Sequence, residues 1–289
     1  MLFRSDSPWG KGAPGWHLEC SVMSEALLGL PFDIHTGGID HREIHHPNEI
    51  AQNQAHSGCD HSGARIWMHN NFLIDRGGKM SKSTGDFLRL QVLIDKGIHP
   101  LAFRLMCLQA HYRSELEFSW GNLAAAFTRL KRMSLAVDRI LSEDEVWYKH
   151  HGTALEAAAE EATEPTLRPL LHRFEAALFD DLNTASALVA FEETLASKNV
   201  HPSSRIIVAL RMEEALGLDV LQLSRSDLRT RPKAASLDSV KIEAALAARK
   251  EARASKDFAT SDLIRDDLIA KGVEVMDGDP LGWDWKIDV

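Results

Sequence analysis

The segment that decides the fold runs from Phe32 to Glu49 and has the sequence FDIHTGGIDHREIHHPNE. It opens with a short apolar run bounded by Gly37-Gly38, as expected for a strand that ends in a loop. Pro47 is favoured in the first turn of a helix, so a helix is predicted to begin near it. A similar apolar run, Trp67-Met-His-Asn-Asn-Phe-Leu-Ile, follows downstream. This alternation predicts an α/β layer over residues 1–95.

Residues 96–222 have a different pattern, with apolar side chains at spacings of three and four and few helix breakers. Such spacing places these side chains on one face of each helix and predicts a helix bundle. The predicted core positions are Leu101, Leu105, Leu108, Leu123, Phe127, Leu130, Met133, Leu167, Leu170, Leu171, Phe174 and Leu178.

The last part of the chain is predicted to be a linker and a small module. Residues 223–237 are polar and offer almost no apolar anchor, which is typical of a mobile linker. In residues 238–289, helices are predicted over Val240 to Lys256 and over Phe258 to Ala270. The segments that begin at Gly272 and at Trp283 are predicted to pair as the two strands of a short hairpin.

Composition limits the class of protein. The 289 residues are 44% apolar and contain no apolar run of the length that spans a membrane. The amino terminus lacks the pattern of a secretory signal. Three cysteines are too few for a disulfide framework, so we expect a cytoplasmic protein without a membrane partner.

Charge is unevenly distributed. The net charge of −9 argues against a protein that coats nucleic acid indiscriminately. Nevertheless, residues 225–256 contain nine Lys or Arg against four Asp or Glu, whereas residues 257–289 contain three against nine. A solvated helix face and a phosphate-contacting surface explain the basic stretch equally well.

A group of histidines is the first candidate for chemistry. His45 and Glu49 are four residues apart, so both point to the same side of a helix. Together with a thiolate from Cys20, they could hold a divalent metal ion. The alternative is a chance pair, since His and Glu at this spacing are common in helices without any chemical role.

A lysine-rich loop is the second candidate. Gly77-Gly-Lys79-Met-Ser81-Lys82-Ser83 combines two ammonium groups and two hydroxyls next to glycines. Such a loop can surround a polyphosphate, because ammonium groups offset the charge that moves between phosphates as a bond breaks. The alternative is an exposed lysine loop without a ligand, and the motifs that precede the loop disfavour it.

These motifs carry a resemblance to a known family. The sequence Lys79-Met-Ser-Lys82-Ser83 resembles the signature loop of class I aminoacyl-tRNA synthetases. Several further motifs narrow the resemblance to cysteinyl-tRNA synthetases. They are Gly15-Trp-His-Leu-Glu-Cys20, Phe32-Asp-Ile-His35-Thr-Gly-Gly-Ile-Asp40, His45-His46-Pro-Asn-Glu49, Trp67-Met-His-Asn, His111-Tyr-Arg-Ser and Phe179-Asp-Asp-Leu-Asn-Thr.

The resemblance implies a fold and an activity. The fold would be the C-terminal part of a Rossmann-type class I catalytic domain, a helix bundle and a small anticodon-binding module. The activity would be cysteine–tRNA ligase, with ATP-dependent activation of L-cysteine and transfer to tRNA(Cys). Magnesium would accompany ATP, and one zinc ion would bind the substrate thiolate.

The resemblance also implies residue roles. The zinc ligands would be Cys20, His45 and Glu49, and the amino-acid pocket would be lined by Trp16, His35 and Asp40. Lys79 and Lys82 would be catalytic. The ATP-binding residues would be Lys79, Ser81, Lys82 and Ser83.

The terminal module supplies the candidate tRNA contacts. Arg249, Lys250 and Arg253 could bind phosphates. Trp283 and Trp285 could stack on a base or could equally form the core of the module.

The chain also departs from the family pattern. Nothing before Ser7 matches the strand with a further cysteine ligand or the His-Ile-Gly-His type sequence with which members open. A truncated form is therefore expected, lacking the amino-terminal half of the catalytic domain or working beside a separate half. It would expose strand edges and an apolar face. The sequence does not identify the fourth zinc ligand.

Two other functions are compatible with parts of this pattern. One is the related ligase that joins cysteine to glucosaminyl-inositol in mycothiol synthesis, although residues 238–289 disfavour it. The other is a tRNA-binding remnant without catalytic activity.

Overall fold

The computed structural model describes residues 5–8, 10–12, 15–60, 62–75, 89–143 and 164–287. The lysine-rich loop with Lys79, Ser81, Lys82 and Ser83 lies outside these residues. Two compact units are distinguished: unit 1 comprises Met1–Ile74 and Tyr112–Leu116, and unit 2 comprises Asp75–His111 and Glu117–Val289. In the described part of the chain, no helix combines the length and apolar character needed to span a membrane.

Unit 1 is built around a β-α-β arrangement, as the sequence predicts. Strand β3 (Phe32–Gly38) leads into helix α2 (His45–Ser57), which returns the chain to strand β4 (Ala64–Asn70). The strands are parallel, with His35 opposite Trp67 and Gly37 opposite His69. Parallel neighbours require such a crossover. The remaining elements are β1 (Ser5–Ser7), β2 (Gly10–Gly12), α1 (His17–Leu28), which packs on α2, and β5 (Leu73–Asp75).

The predicted helix bundle forms most of unit 2. Its helices are α3 (Leu90–Asp95), α4 (Pro100–Leu108), α5 (Trp120–Glu143), α6 (Arg168–Phe179), α7 (Thr184–Ala196) and α8 (Pro202–Leu216), and strand β6 (Leu116–Phe118) precedes α5. Most of the predicted core positions are buried: Leu105, Leu123, Phe127, Leu130, Met133, Leu167, Leu171 and Phe174. The three-and-four spacing therefore identified the inner faces correctly.

Residues 223–237 are not the mobile linker that their composition predicts. Leu228 is buried, and two arginines fasten the segment to the terminal module. Arg225 forms a bidentate ion pair with Asp279 at 2.8 and 3.0 Å. Arg229 donates to the carbonyl oxygens of Leu281 and Trp283 and lies 3.8 Å from the Trp283 ring centroid. Charge-assisted hydrogen bonds here take the place of apolar anchors.

The terminal module has the predicted elements. Helices α9 (Ser239–Ala254) and α10 (Phe258–Ala270) pack together, and β7 (Val273–Val275) pairs antiparallel with β8 (Trp283–Trp285). The side chains of Asp238 and Asp257 cap the two helices by accepting from the Lys241 and Thr260 amides.

Base stacking on the two tryptophans is a prediction that the structure corrects. Trp283 and Trp285 are 1% and 5% exposed and form a core with Ile242, Leu268 and Val273. Trp283 donates from Nε1 to Glu243 at 2.6 Å. Neither ring offers a free face to a base, so the core alternative is the correct one.

The role of Arg249 as a phosphate contact is corrected for a similar reason. Its side chain is buried, and its guanidinium group donates to both carboxylate oxygens of Asp277 at 2.6 and 2.8 Å. These bonds raise the pKa of Arg249, and its positive charge is neutralised by Asp277 within the module. Lys250 and Arg253 are exposed, so a role in tRNA binding remains a prediction for them.

Candidate metal centre

Helices α1 and α2 bring together the three residues that the sequence singles out as metal ligands. The Cys20 thiol, one His45 ring nitrogen and one Glu49 carboxylate oxygen all lie within 4.8 Å of one another. His45 Nε2 is 2.8 Å from Glu49 Oε1. α2 begins at His45 and has Pro47 in its first turn, so the spacing of four places both ligands on one face. A thiol, an imidazole and a carboxylate are the ligand types that zinc prefers.

Burial controls the protonation of this cluster. His45 and Glu49 are buried at 5% and 1% exposure, whereas Cys20 is half-buried. Burial, with help from His17, His41 and His35, lowers the pKa of His45. Burial also raises the pKa of Glu49 and, together with the Glu49 and Glu19 carboxylates, that of the Cys20 thiol. The lowered pKa favours the neutral imidazole that metal ligation requires, whereas the raised pKa of Cys20 favours the thiol, which must lose its proton to bind a metal ion.

Neighbouring rings orient His45. Its Nδ1 atom is hydrogen-bonded to His17 Nδ1 at 2.7 Å, which turns Nε2 toward Glu49. The Trp16 ring lies against the same imidazole with 4.0 Å between ring centroids. A hydrogen bond on the remote nitrogen is the usual way in which a ligating histidine is oriented. Trp16 is 55% exposed and can form the wall of a pocket beside the cluster.

A second group shares Glu49 and was not predicted as a set. His35, His46 and Glu49 also place ligand atoms within 4.8 Å of one another. His35 Nε2 is 3.2 Å from Glu49 Oε2, and His46 Nδ1 is hydrogen-bonded to His69 Nε2 at 2.8 Å. Burial, followed by the surrounding histidines, lowers the pKa of His46 to about 4.

The sequence does not predict the contribution of His69, which becomes visible only in the strand pairing. His69 lies opposite Gly37 in the parallel register. At Gly37 a Cβ atom would come within 2.8 Å of the His46 ring, so glycine is required for the ring to pack there. Only the sheet register, which the sequence does not specify, brings these three residues together.

The two remaining predicted pocket residues have different positions. His35 belongs to the second group and packs on Trp67 with 4.7 Å between ring centroids. Asp40 is exposed, and its Oδ1 lies 3.6 Å from His41 Nδ1. Cys59 and Cys107 are exposed and take no part in either group.

Comparison with known proteins shows which family the chain resembles. Residues 3–128 match the model for "tRNA synthetases class I (C) catalytic domain", and residues 239–280 match "Cysteinyl-tRNA ligase anticodon binding domain". Over 290 aligned positions the chain is 63% identical to the cysteine–tRNA ligase of Novosphingobium aromaticivorans, covering 98% of this chain and 56% of that protein. Over nearly its whole length the chain is therefore similar to cysteine–tRNA ligases, and both matched domain models describe synthetase domains.

Other relatives agree with this similarity. The cysteine–tRNA ligase of Zymomonas mobilis is 50% identical, covering 97% of this chain and 58% of its own length. The chain thus spans somewhat more than half the length of these curated relatives. A solved LeuRS–tRNA–LeuAMS complex from Agrobacterium radiobacter K84 is similar in fold, with a TM-score of 0.50 at 15% identity, covering 79% of this chain and 35% of that one. The predicted class I catalytic fold with an anticodon-binding module is confirmed.

The two family matches divide the candidate residues. The cluster of Cys20, His45 and Glu49 lies within the cysteinyl-tRNA ligase catalytic region. The buried tryptophan Trp283 lies just beyond the matched anticodon-binding region, which includes Arg249, Lys250 and Arg253. The catalytic match also spans the lysine-rich loop.

Proposed function

We propose that this chain acts in cysteinyl-tRNA synthesis in the cytoplasm, providing the thiol-binding site and the tRNA-binding module for ATP-dependent ligation of L-cysteine to tRNA(Cys). The observation that carries the proposal is the convergence of Cys20, His45 and Glu49 within 4.8 Å. The names of the curated relatives agree with it.

The donor set fits a single zinc ion, which Cys20, His45 and Glu49 would hold. When bound, zinc supplies a soft acceptor for the sulfur of L-cysteine, for which the hydroxyl of serine is a poor ligand. His17 fixes the orientation of the His45 ring by its 2.7 Å hydrogen bond. Trp16 and His35 would bound the amino-acid pocket, and Asp40, which is exposed, would lie at its edge.

The phosphates of ATP, with their magnesium ion, are assigned to the lysine-rich loop. Lys79 and Lys82 would offset the charge that develops on the phosphates as the carboxylate of cysteine attacks and pyrophosphate leaves. The hydroxyls of Ser81 and Ser83 would donate to phosphate oxygens. The support for these roles is the sequence of the loop and the match of its region to the class I catalytic domain.

The first test measures metal content and amino-acid binding. We expect the purified chain to hold about one zinc ion and to bind L-cysteine more tightly than L-serine. Cys20→Ser should lower zinc affinity by at least about tenfold and abolish the preference, because a soft ligand is lost. Elemental analysis would measure the zinc content, and calorimetric titration would measure the affinities for L-cysteine and L-serine.

Cys59→Ser is the matched control, since Cys59 is an exposed cysteine outside the cluster. It should retain zinc and the preference for cysteine. Equal zinc content in the Cys20 and Cys59 variants would contradict the ligand assignment. Cysteine-dependent exchange of pyrophosphate into ATP would then test activation itself, and its absence in a zinc-loaded chain would restrict the function to binding.

A further inference from the structure

A cleft in unit 2 lies where three separate parts of the chain meet. These parts are the end of α3, the segment 223–237 and the ends of the β7–β8 hairpin. The cleft has a volume of about 310 Å³ and is lined by Lys96, Lys271 and Lys286 together with Asp95 and Trp285. Volumes of this order accommodate a ligand group rather than a single water.

Backbone contacts fix the walls of the cleft. The Lys233 amide donates to the Asp95 carbonyl at 2.9 Å, and the Lys286 amide donates to the Gly272 carbonyl at 2.9 Å. Gly97 has a φ of +85°, and a Cβ atom there would come within 2.8 Å of Pro232. Only glycine allows this approach, so the segment 223–237 is held tightly against the turn after α3.

The lysines of the cleft differ from the arginines of the basic stretch. Arg225, Arg229 and Arg249 direct their charges into the protein, toward Asp279, the hairpin carbonyls and Asp277. By contrast, Lys96, Lys271 and Lys286 are exposed. The arginines therefore stabilise the fold through internal ion pairs and hydrogen bonds, whereas the ammonium groups of the three lysines lie at the surface of the cleft.

The charge of the cleft is positive although the chain carries a net charge of −9. Among the described residues that line the cleft, the one carboxylate is that of Asp95, which faces Lys233 at 3.7 Å. Lys271 pairs with Asp267 at 2.8 Å in an exposed contact, which is weak. Lys96 lies 4.7 Å from the Trp120 ring centroid. Among the described residues, no hydrogen bond or ion pair of the Lys286 ammonium group is found.

We propose that this cleft binds a backbone phosphate of tRNA, with Lys96 and Lys286 as its principal contacts. The inference rests on the proposed function, because it takes tRNA as the polyanion. A lysine ammonium group acts as a point charge, so it can neutralise a phosphate without a fixed hydrogen-bond geometry. The cleft borders the region matched by the anticodon-binding family, so a phosphate there would fix the position of the RNA relative to the bundle.

The test is the salt dependence of tRNA binding. Anisotropy of labelled tRNA(Cys) would be measured with the full chain at several salt concentrations. We expect Lys96→Ala and Lys286→Ala each to weaken binding by about three- to tenfold and to reduce the slope of log affinity against log salt by about one. Lys286→Arg should restore affinity, since it keeps the charge.

Lys198→Ala is the matched control, because Lys198 is an exposed lysine outside the cleft. It should leave both affinity and slope unchanged, and thermal melts should confirm that all variants fold. Weakening of the same size in the cleft and control variants, or no weakening in either, would overturn the cleft while leaving the proposed function intact. No tRNA binding by the unaltered chain would overturn the proposed function and the cleft with it.

Discussion

At the scale of single residues, Glu213 in α8 is a buried acid outside the candidate site. Its Oε1 atom accepts from the Leu218 amide at 2.5 Å and from the Asp219 amide, which closes the turn after the helix. Within the described residues, its Oε2 atom is buried without a hydrogen-bond partner. Burial raises the pKa of Glu213 to about 7, although the backbone hydrogen bonds oppose the shift.

This raised pKa predicts a pH dependence of stability. Between the unfolded pKa of 4.5 and the folded pKa of about 7, the folded state binds more protons at this residue. The stability that this protonation contributes is complete below pH 4.5 and is lost as pH rises through 7. Glu213→Gln should therefore reduce the difference in unfolding free energy between pH 5.5 and pH 8 by about 1–3 kcal/mol.

Urea unfolding at both pH values would measure this difference. Glu214→Gln is the control, because Glu214 is the exposed neighbour of the buried acid. If both variants kept the pH dependence of the unaltered chain, Glu213 would not be the group that titrates.

At the scale of elements, the β7–β8 hairpin depends on one tryptophan. Trp283 is in the core of the terminal module, donates to Glu243 and lies beneath the Arg229 guanidinium. Trp283→Ala should destabilise the module by about 3–5 kcal/mol, because it leaves a cavity in the core and removes the hydrogen bond to Glu243 and the ring beneath Arg229. Hydrogen exchange of the Val273–Val275 amides would report this loss.

Phe258→Ala is the control for this substitution, since Phe258 is an aromatic residue of the same module that is 60% exposed. It should change stability by less than about 1 kcal/mol. A Trp283 variant that keeps normal amide protection but loses tRNA affinity would instead restore the base-stacking role that burial argues against.

At the scale of the whole molecule, unit 1 exposes a large amount of apolar surface. In α1, Val22, Leu27 and Leu28 are 55%, 82% and 64% exposed, and Ile34 and Ile66 on the strands are each 53% exposed. In the described residues, β3 and β4 pair only with each other. The exposed apolar surface that the sequence predicts is therefore present. Surface of this kind favours association.

We expect the chain to self-associate with rising concentration, and Val22→Glu with Leu27→Glu to shift it toward the monomer in sedimentation velocity. Val240→Glu changes an apolar residue of unit 2 that is 76% exposed and should have no such effect. Unchanged association in the double variant, with helical content preserved, would show that this surface of α1 is not responsible.

Features that depend on residues a few positions apart could be predicted from the sequence alone. The helix Phe258–Ala270, the inner face of α5 and the pairing of His45 with Glu49 followed from period and spacing. Cys20 is added to this pair as a predicted ligand because a thiolate can bind a divalent metal ion, and the family resemblance implies the same role. The roles of Lys79 and Lys82 stay predictions, because they lie outside the described residues.

The roles of the polar and aromatic residues could be read only from the folded chain, because their partners are far away in the sequence. Arg225 and Arg229 find their partners 54 residues further on, which converts a predicted linker into a fastened segment. The same distant contacts bury Trp283 and bring His69 to His46. Composition records the charge or ring that a residue carries, but burial and pairing depend on which distant surface folds against it.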